Sequence, residues 1–148
     1  MDRSAVKAVV DHEIESLMLR LGIPHWHVVV RYKTESDDGD FVVRGRCDRR
    51  AEYNSASLTL NPESLDGAEE VLATLRHELL HIVLAPFDMY QEAVGPLLDG
   101  DRAKHEVFDV VFRHCVEKAV INLNRMYLGL TQRPDKPAKK STRRRHNA

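Results

Sequence analysis

The sequence predicts a single α+β domain, and three observations carry that expectation. Apolar residues recur at helical spacing near the N-terminus, in the middle and near the C-terminus of the chain. Between the first two of these stretches the spacing changes to two, as in half-buried strands. A length of 148 residues with 43% hydrophobic and 30% charged residues, 7 Gly and 6 Pro suits one globular core and excludes collagen-like and wholly disordered chains. The expected order is an N-terminal helix, a sheet of three to four strands, a central helix and a long C-terminal helix.

In the first helix Val6, Val9, Val10, Ile14, Leu17, Met18 and Leu21 share a face, Asp2 or Ser4 can cap the start, and Gly22 and Pro24 close it. From Trp26 the period is two, with Trp26, Val28, Val30 and Tyr32 on one side and His27, Val29 and Arg31 on the other. A polar turn over 35–40, with Gly39, leads to Phe41-Val42-Val43, and the two runs read as a hairpin. A charged stretch over 48–52 follows. Then 55–60 alternates small polar with apolar residues, so a further strand is expected with Ala56, Leu58 and Leu60 inward, stopped by Asn61-Pro62. Asp66 and Glu69 have the form of a capping box opening a helix over 67–85 that Pro86 ends. That helix is apolar nearly all round and should be buried. Residues 87–100 leave room for a short helix. The last helix, over 102–128, is apolar over most of its circumference, with Cys115 expected as a small core residue beside Phe108, Val111, Phe112 and Ala119.

The net charge of −1 is a sum of opposites. Residues 133–148 hold seven basic side chains against Asp135, a net of +6, which leaves −7 for residues 1–132. The domain is therefore expected over 1–130, and 131–148 forms a basic tail too poor in apolar residues to order itself. Lys139 to Arg145 in that tail offer a surface for nucleic acid or an acidic partner. No apolar run approaches the ~20 residues needed to cross a bilayer. With only Cys47 and Cys115 there is no disulfide framework, and a cytoplasmic protein without a signal peptide or membrane contact is expected. The sequence sets no oligomeric state.

The chemistry lies in His77-Glu78-Leu79-Leu80-His81. Histidines four apart stand one turn above each other, about 40° apart around the axis, so both imidazoles reach one ion. A zinc ion prefers tetrahedral donors and, in catalytic sites, leaves one vertex to water. Glu78, next to the first ligand, can approach that water and move its proton. Chance places this pattern about 0.03 times in a chain with this composition. In a buried helix two histidines and a glutamate are costly unless paired or bound to an ion. The third ligand must come from elsewhere, and the last helix offers Glu106, Asp109, His114 and Glu117. Glu117 borders apolar surface beside Val110, His114 and Ile121, and Glu106 lies on nearly the same line.

These residues resemble a small metallopeptidase of the zincin group, more particularly a minimal gluzincin of the kind found in phage and bacterial genomes. The resemblance covers about residues 5–128 and rests on the pentad His77–His81, the preceding run 56–62 and the glutamate-bearing stretch 113–123. It implies a zincin-like fold, one Zn2+ ion held by His77, His81 and Glu117, Glu78 as general base, and a peptide or protein substrate. It also implies a cleft bordered by a sheet edge, for which 55–60 is the expected strand. His114, one turn before Glu117, is expected either to donate a hydrogen bond to the glutamate or to a tetrahedral intermediate, or simply to be packed. Leu84-Ala85-Pro86-Phe87 stand where metzincins carry a glycine and a third histidine, and no histidine follows the motif as in SprT-like proteases. The expected activity is zinc-dependent peptide hydrolysis. The alternative is a non-catalytic zinc-binding regulatory or nucleic-acid-associated module on the same scaffold.

Overall fold

A computed structural model of the chain describes residues 1–34, 43–98 and 100–131, with the side chains of 130 and 131 left aside. Helix α1 (Arg3–Arg20) starts where the Asp2 carboxylate accepts the Ala5 N–H at 2.8 Å. It ends in a pair of closing bonds, Ile23 N–H to Met18 O and Gly22 N–H to Leu19 O, that need Gly22 at φ +74°. Strands β1 (His27–Tyr32), β2 (Gly45–Arg50) and β3 (Ser55–Leu60) form one sheet. Helices α2 (Ala68–Val83), α3 (Pro86–Val94) and α4 (Arg102–Thr131) follow. The class is α+β, with four helices and a three-stranded mixed sheet among the described residues.

The expected hairpin, from 26–32 to 41–43, lies largely outside the described residues, and among those described β1 pairs with β3 and not with the strand that follows it in sequence. The sheet runs β1-β3-β2, with β1 parallel to β3 (Val28 opposite Ala56) and β2 antiparallel to β3 (Gly45 opposite Leu60). Residues 35–42, which include the expected turn and most of the expected second strand, lie outside the described residues, as does the tail over 132–148. The second strand instead begins at Gly45 and takes in Asp48 to Arg50 of the charged stretch. Its exposed face carries Arg46, Asp48 and Arg50, which suits an edge. β3, with Ala56, Leu58, Thr59 and Leu60 buried, takes the centre. The strand over 55–60 is thus paired on both sides, and the sheet edge beside α2 is β2.

The core joins α1, the sheet and α2 through Val6, Val10, Leu58, Leu60, Leu75, Leu79 and Ile82, with Trp26 buried just before β1. Each fully buried Leu here contributes about 2 kcal/mol. The other face of α2 packs on α4 through Leu80, Leu84 and Val120. A helix covered on both faces explains why its sequence is apolar nearly all round. Its start differs from the expected capping box: Gly67 is the N-cap, and Glu70, not Glu69, reaches back to the Asp66 N–H at 2.9 Å. Pro86 opens α3 at its first turn, where its missing N–H costs nothing.

α4 departs most from expectation. It is 30 residues long, and among its described side chains Val120 is fully buried while Val107, Val110, Val111, Ile121 and Met126 are exposed. Cys115 is exposed as well and no core residue. Besides the Leu80, Leu84 and Val120 cluster, Gln91 Nε2 donates to Asp109 Oδ1 at 2.9 Å and Arg76 Nε to Asn124 Oδ1 at 2.5 Å, which leaves those five apolar side chains to solvent. No helix among the described residues is long and apolar enough to cross a membrane.

Candidate metal centre

His77, Glu78 and His81 fall in the second half of α2, where that helix passes between β2 and α4. The imidazole rings lie 5.1 Å apart at 73°. Glu117 comes from α4, one turn before the buried Val120 that seats the helix. Its Oε1 stands 3.3 Å from His81 Nε2 and its Oε2 3.6 Å from His77 Nε2. One ligand atom from each of the three residues lies within 4.8 Å of the others, and the group can hold a metal ion. Donors about 2.0–2.1 Å from a tetrahedral ion stand about 3.3 Å from one another, so the group, with spacings up to 4.8 Å, would draw in slightly to close on such an ion.

Burial sets the charge states. His81 is almost enclosed, and loss of hydration pushes its pKa down to about 4 against the opposing pull of Glu117, so at neutral pH it is a neutral imidazole with a lone pair to donate. Its Nδ1 is buried without a hydrogen-bond partner, which leaves Nε2 as the nitrogen aimed at the centre. Glu78 is 5% exposed, and burial first, then the Glu117 carboxylate, push it up to about 8 while Arg49 opposes them. The Cys47 thiol is driven up to about 12 by burial and then by Glu78, so it stays protonated and adds no anionic donor.

The group opens on a cavity of about 360 Å³ walled by β2 (Gly45, Cys47, Arg49), α3 (Asp88, Gln91) and α4 (Phe112, Arg113). A second hollow of about 410 Å³ shares Gly45, His77 and Glu78 and continues past Val43, Ala73, Thr74 and Asn124. The two hollows meet at Gly45, His77 and Glu78 and are taken together below as the groove beside the metal group. Arg49 closes one part of it with a two-pronged bond to Asp88, Nε to Oδ2 at 2.5 Å and Nη2 to Oδ1 at 2.7 Å.

Of the residues singled out in the sequence, His77, Glu78, His81 and Glu117 come together here. His114 does not line the cavity and lies exposed on α4. Glu106 sits about 16 Å up the α4 axis from Glu117 and bonds Arg102 at 2.8 Å. Gly45, Arg49 and Asp88 escaped the sequence reading. The signal for the first two was the period of two in Gly45, Cys47 and Arg49, which puts all three on the α2 side of the strand. Asp88 carried no such signal, because it comes from the next element. No protein-family model, curated protein or solved structure matches the chain.

Proposed function

We propose that the protein is a zinc-dependent peptide hydrolase of the gluzincin kind, with a minimal zincin-like fold, in which His77, His81 and Glu117 hold the ion and Glu78 is the general base. The observation that carries this reading is the convergence of two imidazoles from one helix and a carboxylate from another beside a buried glutamate that none of them uses. When bound, zinc supplies a Lewis acid that lowers the pKa of water toward about 7 and polarises a carbonyl. Glu78 takes the proton from the attacking water on a carboxylate oxygen and returns it to the leaving amine. Its raised pKa suits both transfers, and a cation that offsets Glu117 favours the ionised form that accepts the proton.

Among the described residues, β2 leaves an unpaired edge with which an extended substrate can pair. Asn61 N–H donates to Arg44 O at 3.0 Å, and the antiparallel register then turns the backbone groups of Arg46, Asp48 and Arg50 toward β3. Those of Gly45, Cys47 and Arg49 face away from β3 and, among the described residues, are open to a peptide strand. A non-catalytic zinc module would fill the fourth position with a protein donor, and among the described residues no other His, Cys, Asp or Glu joins the group.

The test is zinc content and hydrolysis of a quenched-fluorescent peptide mixture by the full chain. One zinc per chain and cleavage are expected; Glu78→Gln should keep the zinc and lose cleavage, and His77→Ala should lose the zinc. Absence of stoichiometric zinc from metal-replete protein overturns the reading.

A further inference from the structure

The groove sits in a body whose residues 1–132 carry −7, yet its rim near the metal group is lined by arginines. The carboxylates there are already engaged. Asp88 gives both oxygens to Arg49, Glu117 faces the two imidazoles, and Glu78 is enclosed. The guanidinium groups are not all engaged. Arg113, on the α4 wall, has no ion pair or hydrogen bond among the described residues, and Arg46, which borders the cavity from the outer face of β2, holds only the solvent-exposed Asp48 at 3.1 Å. A contact between two such exposed groups is worth little and yields readily to a better-placed anion. At the other end of the groove the walls are Val43, Ala73, Thr74 and Asn124, and Arg44 there is held by Glu70 at 3.2 Å. The uncommitted charge is therefore positive and confined to one side of the metal group.

We propose that Arg113, with Arg46, selects substrates carrying an acidic side chain on that side of the scissile bond, so that the groove takes Asp- or Glu-containing peptides. This rests on the peptide-hydrolase reading and names its substrate class. A guanidinium offers a planar pair of donors that a carboxylate matches, and a pairing at the rim of a partly enclosed groove is worth about a tenfold difference in affinity.

The experiment measures binding apart from turnover, by fluorescence anisotropy on the zinc-loaded full chain carrying Glu78→Gln. The probes are fluorescein-labelled Ala-rich peptides with Glu, Gln or Lys at alternate positions. The Glu peptide should bind about tenfold tighter than the Gln peptide, and the Lys peptide more weakly than either. Adding Arg113→Glu should abolish the preference. Adding Lys118→Glu, the same charge change on an exposed α4 residue outside the groove lining, should leave it. Equal affinity for the Glu and Gln peptides overturns the proposal. So does an equal loss from Lys118→Glu, which would trace binding to general charge, the basic tail included. Cleavage by the wild-type chain is scored separately. Acid-selective binding without cleavage sinks the hydrolase reading and leaves this one standing, whereas cleavage without acid selectivity does the reverse.

Discussion

Gly45 on β2 lies directly against Glu78 on α2: a β-carbon built on the glycine would stand 2.8 Å from Glu78 Oε1 and 2.8 Å from Thr74 Cγ2. The glycine is required here by lack of space. Real β-carbons essentially never come so near, so any side chain at 45 must displace the carboxylate or part the strand from the helix. Gly45→Ala is therefore expected to shift Glu78 while leaving the three donors in place. A misplacement of about 1 Å at a catalytic group costs about 100-fold in rate. Zinc affinity by chelator competition should change less than about threefold while kcat falls about 100-fold. Parallel losses of zinc and kcat would show that the variant has damaged the whole centre.

The two carboxylates on one line of α4 separate cleanly in space. Glu117 reaches both imidazoles, whereas Glu106 pairs with Arg102 in solvent. Glu117→Gln should weaken zinc binding by at least about 100-fold, since a ligating carboxylate is lost. Glu106→Gln should leave it within about twofold, as expected for an exposed pair. Isothermal titration of the two variants decides; equal affinities would remove Glu117 from the metal centre.

The helical part of the candidate site is legible because its spacing is a property of one helix: His77, Glu78 and His81 are fixed relative to one another by 3.6 residues per turn wherever the helix packs. Glu117 was only half legible. The wheel puts it and Glu106 on nearly the same line, and which of them meets α2 depends on where Val120 seats α4, a tertiary fact. The central helix, and the inward set Ala56, Leu58 and Leu60, follow from periodicity and are found as read. The order of strands does not follow from it. Arg46 to Arg50 contain no β-branched residue, so the edge strand reads as a charged connection, and periodicity does not say which strands pair. Cys115 was misplaced because an apolar helix surface says what can be buried and not whether anything covers it.

The metal-free protein should lose stability as pH rises from about 6.5 to 8, and Glu78 is the cause. Its pKa lies at about 8 in the folded chain and 4.5 in its ordinary state, so the folded chain favours the protonated form. The stability tied to that proton is whole below about pH 4.5 and is lost as pH rises through 8. His81 has the opposite sign: with a folded pKa of about 4 against 6.5, its contribution is whole above pH 6.5 and is lost as pH falls through about 4. The two slopes offset each other between 4.5 and 6.5, and above that only the Glu78 slope remains. Urea denaturation of metal-free wild type and Glu78→Gln at pH 6 and 8.5 measures this. Wild type should weaken between the two values and the variant should not; an identical pH dependence in both would show that Glu78 is not the buried group that titrates.

Zinc should act as a bridge between α2 and α4, because its proposed donors come two from one helix and one from the other. α4 is otherwise held by the cluster of Val120 with Leu80 and Leu84, by Tyr127 packed against the main core and by hydrogen bonds from Arg76 to Asn124 and from Gln91 to Asp109, while Val107, Val110, Val111, Ile121 and Met126 are exposed. At a free zinc concentration 100 times Kd the ion stabilises the fold by about 2.7 kcal/mol. For a chain of this length chelation should then lower Tm by about 5–10 °C. Val120→Ala removes buried methyl groups from that cluster, at a cost of about 2 kcal/mol. Part of that cost should appear as weaker zinc binding, by about tenfold, because Glu117 is delivered less accurately to His77 and His81. Chelation that leaves Tm unchanged in both wild type and Val120→Ala would mean that no metal ties the two helices together.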